Sequence, residues 1–174
     1  YTQEGGSLED LGKRLSDLGL KVPNLIGFFE WVVEDDALRA KGLEEARRNL
    51  EMAAKIGCER LAAPPFGATD AADLDLLKAA ERYRDLLEIA APFGVVPMVE
   101  FWGVSKCMGR LGEALLVAAE SRHPEACLLA DVFHMYKGSG GQEGLRLVGP
   151  NTLGLLHMND YPADPPRETI RDSD

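Results

Sequence analysis

The segment VVPMVE at residues 95–100 is a short apolar run that ends in a carboxylate. Two later apolar runs also end in an ionisable residue: ACLLAD at residues 126–131 ends in a carboxylate, and LGLLH at residues 153–157 ends in an imidazole. Apolar runs of this length, without polar alternation, are typical of parallel strands that are covered on both faces. The three segments therefore predict buried strands of one parallel sheet.

Helical segments separate these apolar runs along the chain. The spacing of apolar residues predicts helices over residues 7–18, 37–56, 70–93 and 109–121, and strands that begin near residues 20, 58, 95, 126 and 153. Pro23 lies in the first of these strands, although a proline cannot donate a ladder hydrogen bond. Regular alternation of strands and helices predicts βα units.

Two architectures are built from such units, the open doubly wound sheet and the (β/α)₈ barrel. No Gly-x-Gly-x-x-Gly sequence follows a predicted strand, which disfavours a dinucleotide-binding sheet. A barrel has eight strands in about 250 residues. We therefore predict a (β/α)₈ TIM barrel, present as an incomplete barrel of about five βα units. One domain is expected over residues 1–174, without roughly the first strand and the last two.

Composition and charge narrow the class of protein. The 174 residues are 45% hydrophobic and 28% charged, which is typical of a globular protein and excludes a disordered one. The net charge of −10 argues against nucleic-acid binding. No apolar run is long enough to predict a membrane span. Three scattered cysteines indicate a reducing compartment, and we predict a cytoplasmic protein. The chain opens on Tyr1, so translation is expected to start upstream.

An ionisable residue stands at the end of each of three apolar strands: Glu100, Asp131 and His157. Taken singly, each has a structural explanation: Glu100 could pair with Lys106, Asp131 could cap the next segment, and His157 could be a core histidine. Ligands bind at the carboxyl edge of such sheets, where neighbouring strands lie about 4.8 Å apart. The three ends together predict a site for a divalent cation, Mn²⁺, Mg²⁺, Co²⁺ or Zn²⁺.

Further polar and aromatic residues follow the same strand ends. His134 comes three residues after Asp131, a spacing that allows both side chains to face one cavity. Asn159 and Asp160 follow His157 and could orient it or contact a ligand. Trp102 could form an apolar wall for a small polar ligand. The glycine-rich residues 137–141 are expected to form a flexible loop.

Four segments give the chain a resemblance to a known family: AAKIGCERLAAPP, VVPMVEFWG, LLADVFHMYKG and GLLHMNDYPADPPRETIRDSD. They resemble the sugar phosphate isomerases and epimerases of the xylose isomerase-like barrels, which include relatives of tagatose 3-epimerase and hydroxypyruvate isomerase. The resemblance implies that Glu100, Asp131 and His157 bind the metal and that His134 binds substrate. It also makes Arg167 the nearest match to a substrate-binding arginine. The fourth ligand of the family, a glutamate of the eighth strand, has no counterpart in these residues.

The predicted function is a metal-dependent isomerase or epimerase of a small sugar or sugar phosphate. A chelated ketose would lose a proton next to its carbonyl and form an enediolate, with Glu100 as the base. Two alternatives stay open, an endonuclease IV-like phosphodiesterase and a sugar-binding relative without turnover. Because an incomplete barrel exposes apolar strand edges, we also expect a homo-oligomer.

Overall fold

The computed structural model describes residues 5–139 and 141–171 of the chain, and in them five strands form one sheet. The strands are β1 (Leu25–Ile26), β2 (Arg60–Ala63), β3 (Val96–Glu100), β4 (Leu128–Asp131) and β5 (Leu153–His157). The α-helices are α1 (Leu8–Asp17), α2 (Asp36–Lys55), α3 (Leu76–Ala90), α4 (Leu111–Glu120) and α5 (Val132–Ser139). Residues 91–93 and 143–147 form short 3₁₀ helices.

The sheet is parallel throughout and follows the order of the chain. Its strand order is β1-β2-β3-β4-β5, and every neighbouring pair is parallel. In a flat sheet, β1 and β5 would lie four spacings apart, or roughly 19 Å. The side chains of Asn24, just before β1, and His157, at the end of β5, nevertheless approach to 3.3 Å. The sheet is therefore strongly curved, which confirms the predicted arc of a barrel.

Two apolar clusters lie on the two faces of this arc. The larger cluster joins strand residues such as Leu61, Val99 and Leu128 to the helices, for example to Leu50 of α2 and Leu86 of α3. The smaller one fills the concave side with residues of the opposite strand parity: Ala62, Met98, Cys127 and Leu129. Successive residues of a strand point to opposite faces of the sheet. One set of strand residues therefore packs against the helices on the outside, and the other set fills the inside of the arc.

The structure corrects several predicted boundaries. The first strand contains only Leu25–Ile26, because Pro23 has no N–H for a ladder and pairing begins after it. The third helix begins at Leu76 and not at residue 70, since the Asp75 carboxylate accepts the N–H groups of Leu77 and Lys78 as an N-terminal cap. Residues 132–139 continue as helix α5 into the predicted glycine-rich loop.

No helix in residues 5–139 and 141–171 is long and apolar enough to cross a membrane.

Tyr83 of α3 joins the two strands that carry the carboxylates. Its hydroxyl lies 2.8 Å from the carbonyl oxygen of Pro97 in β3 and 2.9 Å from that of Cys127, just before β4. It also accepts the N–H of Cys127 at 3.2 Å. Pro97 has no N–H and cannot donate a hydrogen bond to β4. The buried hydroxyl of Tyr83 therefore supplies hydrogen bonds between Pro97 and Cys127, where the two strands lack a direct one. Burial raises the pKa of Tyr83, and the phenol therefore keeps its proton.

Tyr83→Phe is expected to lower the free energy of unfolding by about 1–3 kcal/mol, because it leaves the buried N–H of Cys127 without its acceptor. Urea unfolding followed by circular dichroism measures this difference. Tyr136→Phe is the matched control, since the ring of Tyr136 stacks on Tyr161 at 4.4 Å and lies at a partly exposed position. The control should change stability by no more than about 0.5 kcal/mol. Equal effects of the two substitutions would contradict the role given to Tyr83.

The three cysteines are buried thiols, as expected for small apolar residues. Burial raises the pKa of Cys58, Cys107 and Cys127, in each case as the largest effect. Because the thiolate is the reactive form, the native protein should react with a disulfide reagent at pH 8 about tenfold or more slowly than the unfolded protein does. Absorbance of the released thiolate measures both rates. A native thiol that reacts as fast as in denaturant would contradict this assignment.

Candidate metal centre

The ends of β3, β4 and β5 bring Glu100, Asp131 and His157 together. One possible ligand atom of each lies within 4.8 Å of the others. Glu100 and Asp131 are only 3% and 6% exposed, and the side chain of His157 is 26% exposed. Opposite ligands of an octahedral Mg²⁺ or Mn²⁺ lie about 4.2 Å apart, so small side-chain rotations suffice to bind one ion. Two buried carboxylates beside an imidazole fit such a cation, because its charge offsets their mutual repulsion.

Asp131 is held by its neighbours on both carboxylate oxygens. The backbone N–H of His134 donates to Oδ1 at 3.0 Å, which caps the first turn of α5. The side-chain amide of Asn159 donates to Oδ2 at 2.7 Å, and Nδ1 of His157 lies 3.6 Å from the same oxygen. The helix-capping explanation of Asp131 and its place among the possible ligands are therefore compatible.

His134 lies on the wall of the same site. It is 7% exposed, and its Nε2 lies 4.0 Å from Oε1 of Glu100. The rings of Trp102 and Phe133 lie 6.2 Å and 5.4 Å from the His134 ring. The first turn of α5 thus directs an imidazole towards the carboxylate at the end of β3.

Helix α5 lies unusually close to the loop after β3, and this approach positions His134. A Cβ atom on Gly138 would overlap the carbonyl oxygen of Gly109, and one on Gly103 would lie 2.5 Å from the carbonyl oxygen of His134. Only glycine fits at these contacts. Gly138 therefore lies in α5 and allows this helix to pack against the loop after β3, whereas the sequence predicted a flexible loop at this position.

A cavity of about 420 Å³ opens over the three strand ends. Its lining consists of Ile26, Phe28, Glu100, Trp102, Val104, Asp131, His134, His157 and Asn159. Phe28 and Trp102 form an aromatic side, with ring centroids 6.2 Å apart. A cavity of this volume, with an apolar aromatic side facing a cluster of polar groups, suits a small molecule. A larger cavity of about 720 Å³ lies between α1 and the end of α2, away from these groups.

The structure places other predicted residues outside the cavity. Asp160 is exposed and does not line it. Arg167 is also exposed; its Nε lies 3.6 Å from Glu168, and its carbonyl oxygen accepts a hydrogen bond from Lys137. The suggested Glu100–Lys106 pair is not formed, because Lys106 binds Asp70 at 2.8 Å.

Sequence reasoning missed Asn24, Ile26 and Phe28, which come from the start of the chain. Asn24 and Ile26 lie on either side of Leu25, so strand alternation places them on one face. That face is the inner one, because Ile26 lines the cavity. The alternation of residues 24–26 could have indicated that Asn24 and Ile26 share the inner face. The strand β1 nevertheless lacks the signal used for β3, β4 and β5, because it does not end in an ionisable residue.

Comparisons with known proteins agree with the barrel fold of the five parallel strands. The sequence matches the family model of xylose isomerase-like TIM barrels over residues 1–172, so the chain belongs to that family. No protein of curated function matches the sequence significantly.

Several solved structures share the fold at low sequence identity. IolI protein with a bound zinc atom is 19% identical, with a TM-score of 0.79 over 91% of this chain and 59% of that one. L-ribulose 3-epimerase is 21% identical, with a TM-score of 0.76 over 89% and 56%. The 3-keto-D-glucoside 4-epimerase YcjR of E. coli is 20% identical, with a TM-score of 0.75 over 88% and 64%. The chain spans less than two thirds of each of these structures.

Proposed function

We propose that this protein is a metal-dependent isomerase or epimerase of a small sugar. The observation that carries the proposal is the convergence of Glu100, Asp131 and His157 within 4.8 Å, beneath a cavity of about 420 Å³. Membership of the xylose isomerase-like family and the similarity of the fold to two sugar epimerases support it. The ligand set suits Mn²⁺, Mg²⁺, Co²⁺ or Zn²⁺.

The polar residues of the cavity and Trp102 each have a chemical task in this proposal. A bound divalent cation would supply Lewis-acid stabilisation of the negative charge of an enediolate. Glu100 takes the proton from the carbon next to the substrate carbonyl, since a buried carboxylate beside the cavity can reach it. His134 donates a hydrogen bond to a sugar oxygen, and Trp102 covers the apolar C–H face of the sugar. Asn159 acts through its hydrogen bond to Asp131. Asp160 and Arg167 do not line the cavity and are given no task in this proposal.

Solvent exchange tests this proposal directly. The protein is freed of metal with EDTA, reloaded with one divalent cation at a time and incubated in D₂O with a panel of ketoses and sugar phosphates. Proton NMR should show deuterium entering the carbon next to the carbonyl only in metal-loaded samples. Sugar binding without exchange would instead favour the sugar-binding relative without turnover.

Metal stoichiometry distinguishes the endonuclease IV-like alternative, which uses several metal ions. The part of the chain that the structure describes contains a single group of three possible ligands, Glu100, Asp131 and His157. One ion per chain is therefore expected by elemental analysis. Three ions per chain would favour the phosphodiesterase.

Association into a homo-oligomer is part of the proposal. The strand β5 is paired on one side only within the described sheet. Its residue Leu156 is 40% exposed, and Met158, just after the strand, is 74% exposed. Covering such residues by a second copy removes apolar surface from water. Sedimentation velocity measures the oligomeric state, and a protein that stays monomeric at high concentration would contradict the proposed association.

A further inference from the structure

Asn24 makes a long-range contact with a residue of the candidate metal centre. Its Oδ1 atom lies 3.3 Å from Nε2 of His157, which is 133 positions later in the chain. Asn24 directly precedes β1 and His157 ends β5, so this contact connects the two edge strands across the concave side of the sheet. The other ring nitrogen of His157, Nδ1, lies 3.6 Å from Oδ2 of Asp131.

The orientation of the Asn24 amide follows from its second contact. Its Nδ2 donates to the carbonyl oxygen of Leu25 at 3.2 Å. A carbonyl oxygen can only accept, so the NH₂ group faces Leu25 and Oδ1 faces His157. Oδ1 is itself an acceptor, and the hydrogen bond therefore requires a proton on Nε2. In a neutral imidazole with that proton, Nδ1 carries the lone pair and faces Asp131.

We propose that Asn24 is a positioning residue, which keeps the proton of His157 on Nε2 and so leaves Nδ1 to bind the cation. The inference rests on the metal site of the proposed function. Imidazole ligands of metals generally donate their other N–H to an oxygen acceptor, which fixes both the tautomer and the ring orientation. Asn159 and the N–H of His134 hold Asp131 in the same way, whereas Asn24 is the group that approaches the far nitrogen of His157.

Metal affinity and the tautomer test this role without an activity assay. Asn24→Leu removes the acceptor at similar volume and should weaken Co²⁺ binding by about tenfold or more in calorimetry. Asn24→Asp keeps an acceptor oxygen and should bind Co²⁺ at least as tightly as the unaltered protein. Asn49→Leu is the matched control, because Asn49 is half-buried and donates to the carbonyl oxygen of Glu45 in α2, away from the cavity. It should leave the affinity unchanged.

The ring nitrogens can be observed in the unaltered protein by ¹⁵N NMR. The chain has three histidines, so His157 can be assigned by comparison with His157→Ala. Zinc-loaded protein should show the proton on Nε2 and the metal on Nδ1 of His157, and metal-free protein should keep the Nε2 proton. Protonation of Nδ1 with metal on Nε2, or unchanged Co²⁺ affinity in folded Asn24→Leu, would overturn the inference. If Asn24→Leu does not fold, the spectra and Asn24→Asp decide. Failure of the unaltered protein to bind any metal would overturn the proposed function, while the metal-free spectrum would still decide the role of Asn24.

Discussion

Glu100→Gln is expected to lower turnover of the metal-loaded protein by about 10²–10⁴-fold, the usual contribution of a general base. The substitution keeps the shape of the side chain and one oxygen donor, but an amide cannot accept the substrate proton. Exchange of the substrate C–H with solvent deuterium should fall in parallel. Excess metal should not restore either rate, because the lost group is the base and not only a ligand.

Glu81→Gln provides the matched control for Glu100. Glu81 is exposed on α3 and does not line the cavity, so the same change of charge there should leave turnover and exchange unaltered. Circular dichroism and the metal content of both variants show whether each is folded and loaded. A loaded Glu100→Gln protein that exchanges the substrate proton at the normal rate would place the base elsewhere.

His157→Ala and Asp131→Asn are expected to weaken metal binding by about 10–100-fold or more, since changes even to the groups around a ligand have effects of that size. Activity should return in part when metal is added in excess, which separates a ligand from a base. Asp131→Asn also affects the local hydrogen bonds, because one of the two oxygens that accept from His134 and Asn159 becomes an NH₂ group, which can only donate. His157→Ala is therefore the cleaner test.

His123→Ala is the control for the histidine substitution. His123 lies in the turn before β4, where its Nδ1 accepts the N–H of Glu125, and it is not among the residues of the cavity. Its removal should leave the dissociation constant for Co²⁺ or Mn²⁺ unchanged in a calorimetric titration. Equal losses in the two alanine variants would argue that the His157 effect is a general loss of structure.

The strands and the polar residues at their ends could be predicted from sequence because their causes are local. A strand covered on both faces must be apolar at nearly every position, as the buried strands β3 and β4 are, and an ionisable residue at the last position stands out. The strand β5 has the same apolar sequence, although its residues are only partly buried. Since neighbouring parallel strands end at one edge, the convergence of Glu100, Asp131 and His157 follows from chain order alone.

Tertiary structure decided what depends on contacts between distant segments. Asp160 was expected to orient His157 or contact a ligand, and the family resemblance made Arg167 the nearest match to a substrate-binding arginine. Both are exposed and do not line the cavity, because the path of the chain after β5 leads away from it. Gly138 was expected in a loop, and its place in α5 depends on the close approach of the loop after β3. The pattern of residues within one segment carries no information about such packing, because each contact depends on two segments that are distant in the sequence.

The contact between Asn24 and His157 is the clearest example of a feature that the sequence alone could not predict. The sequence by itself determined the strand order, the parallel sheet and three of the residues at its carboxyl edge. The curvature that brings the two edge strands within reach of one hydrogen bond accumulates over all five strands. No single segment encodes it, so the partner of His157 became visible only when the whole sheet was assembled.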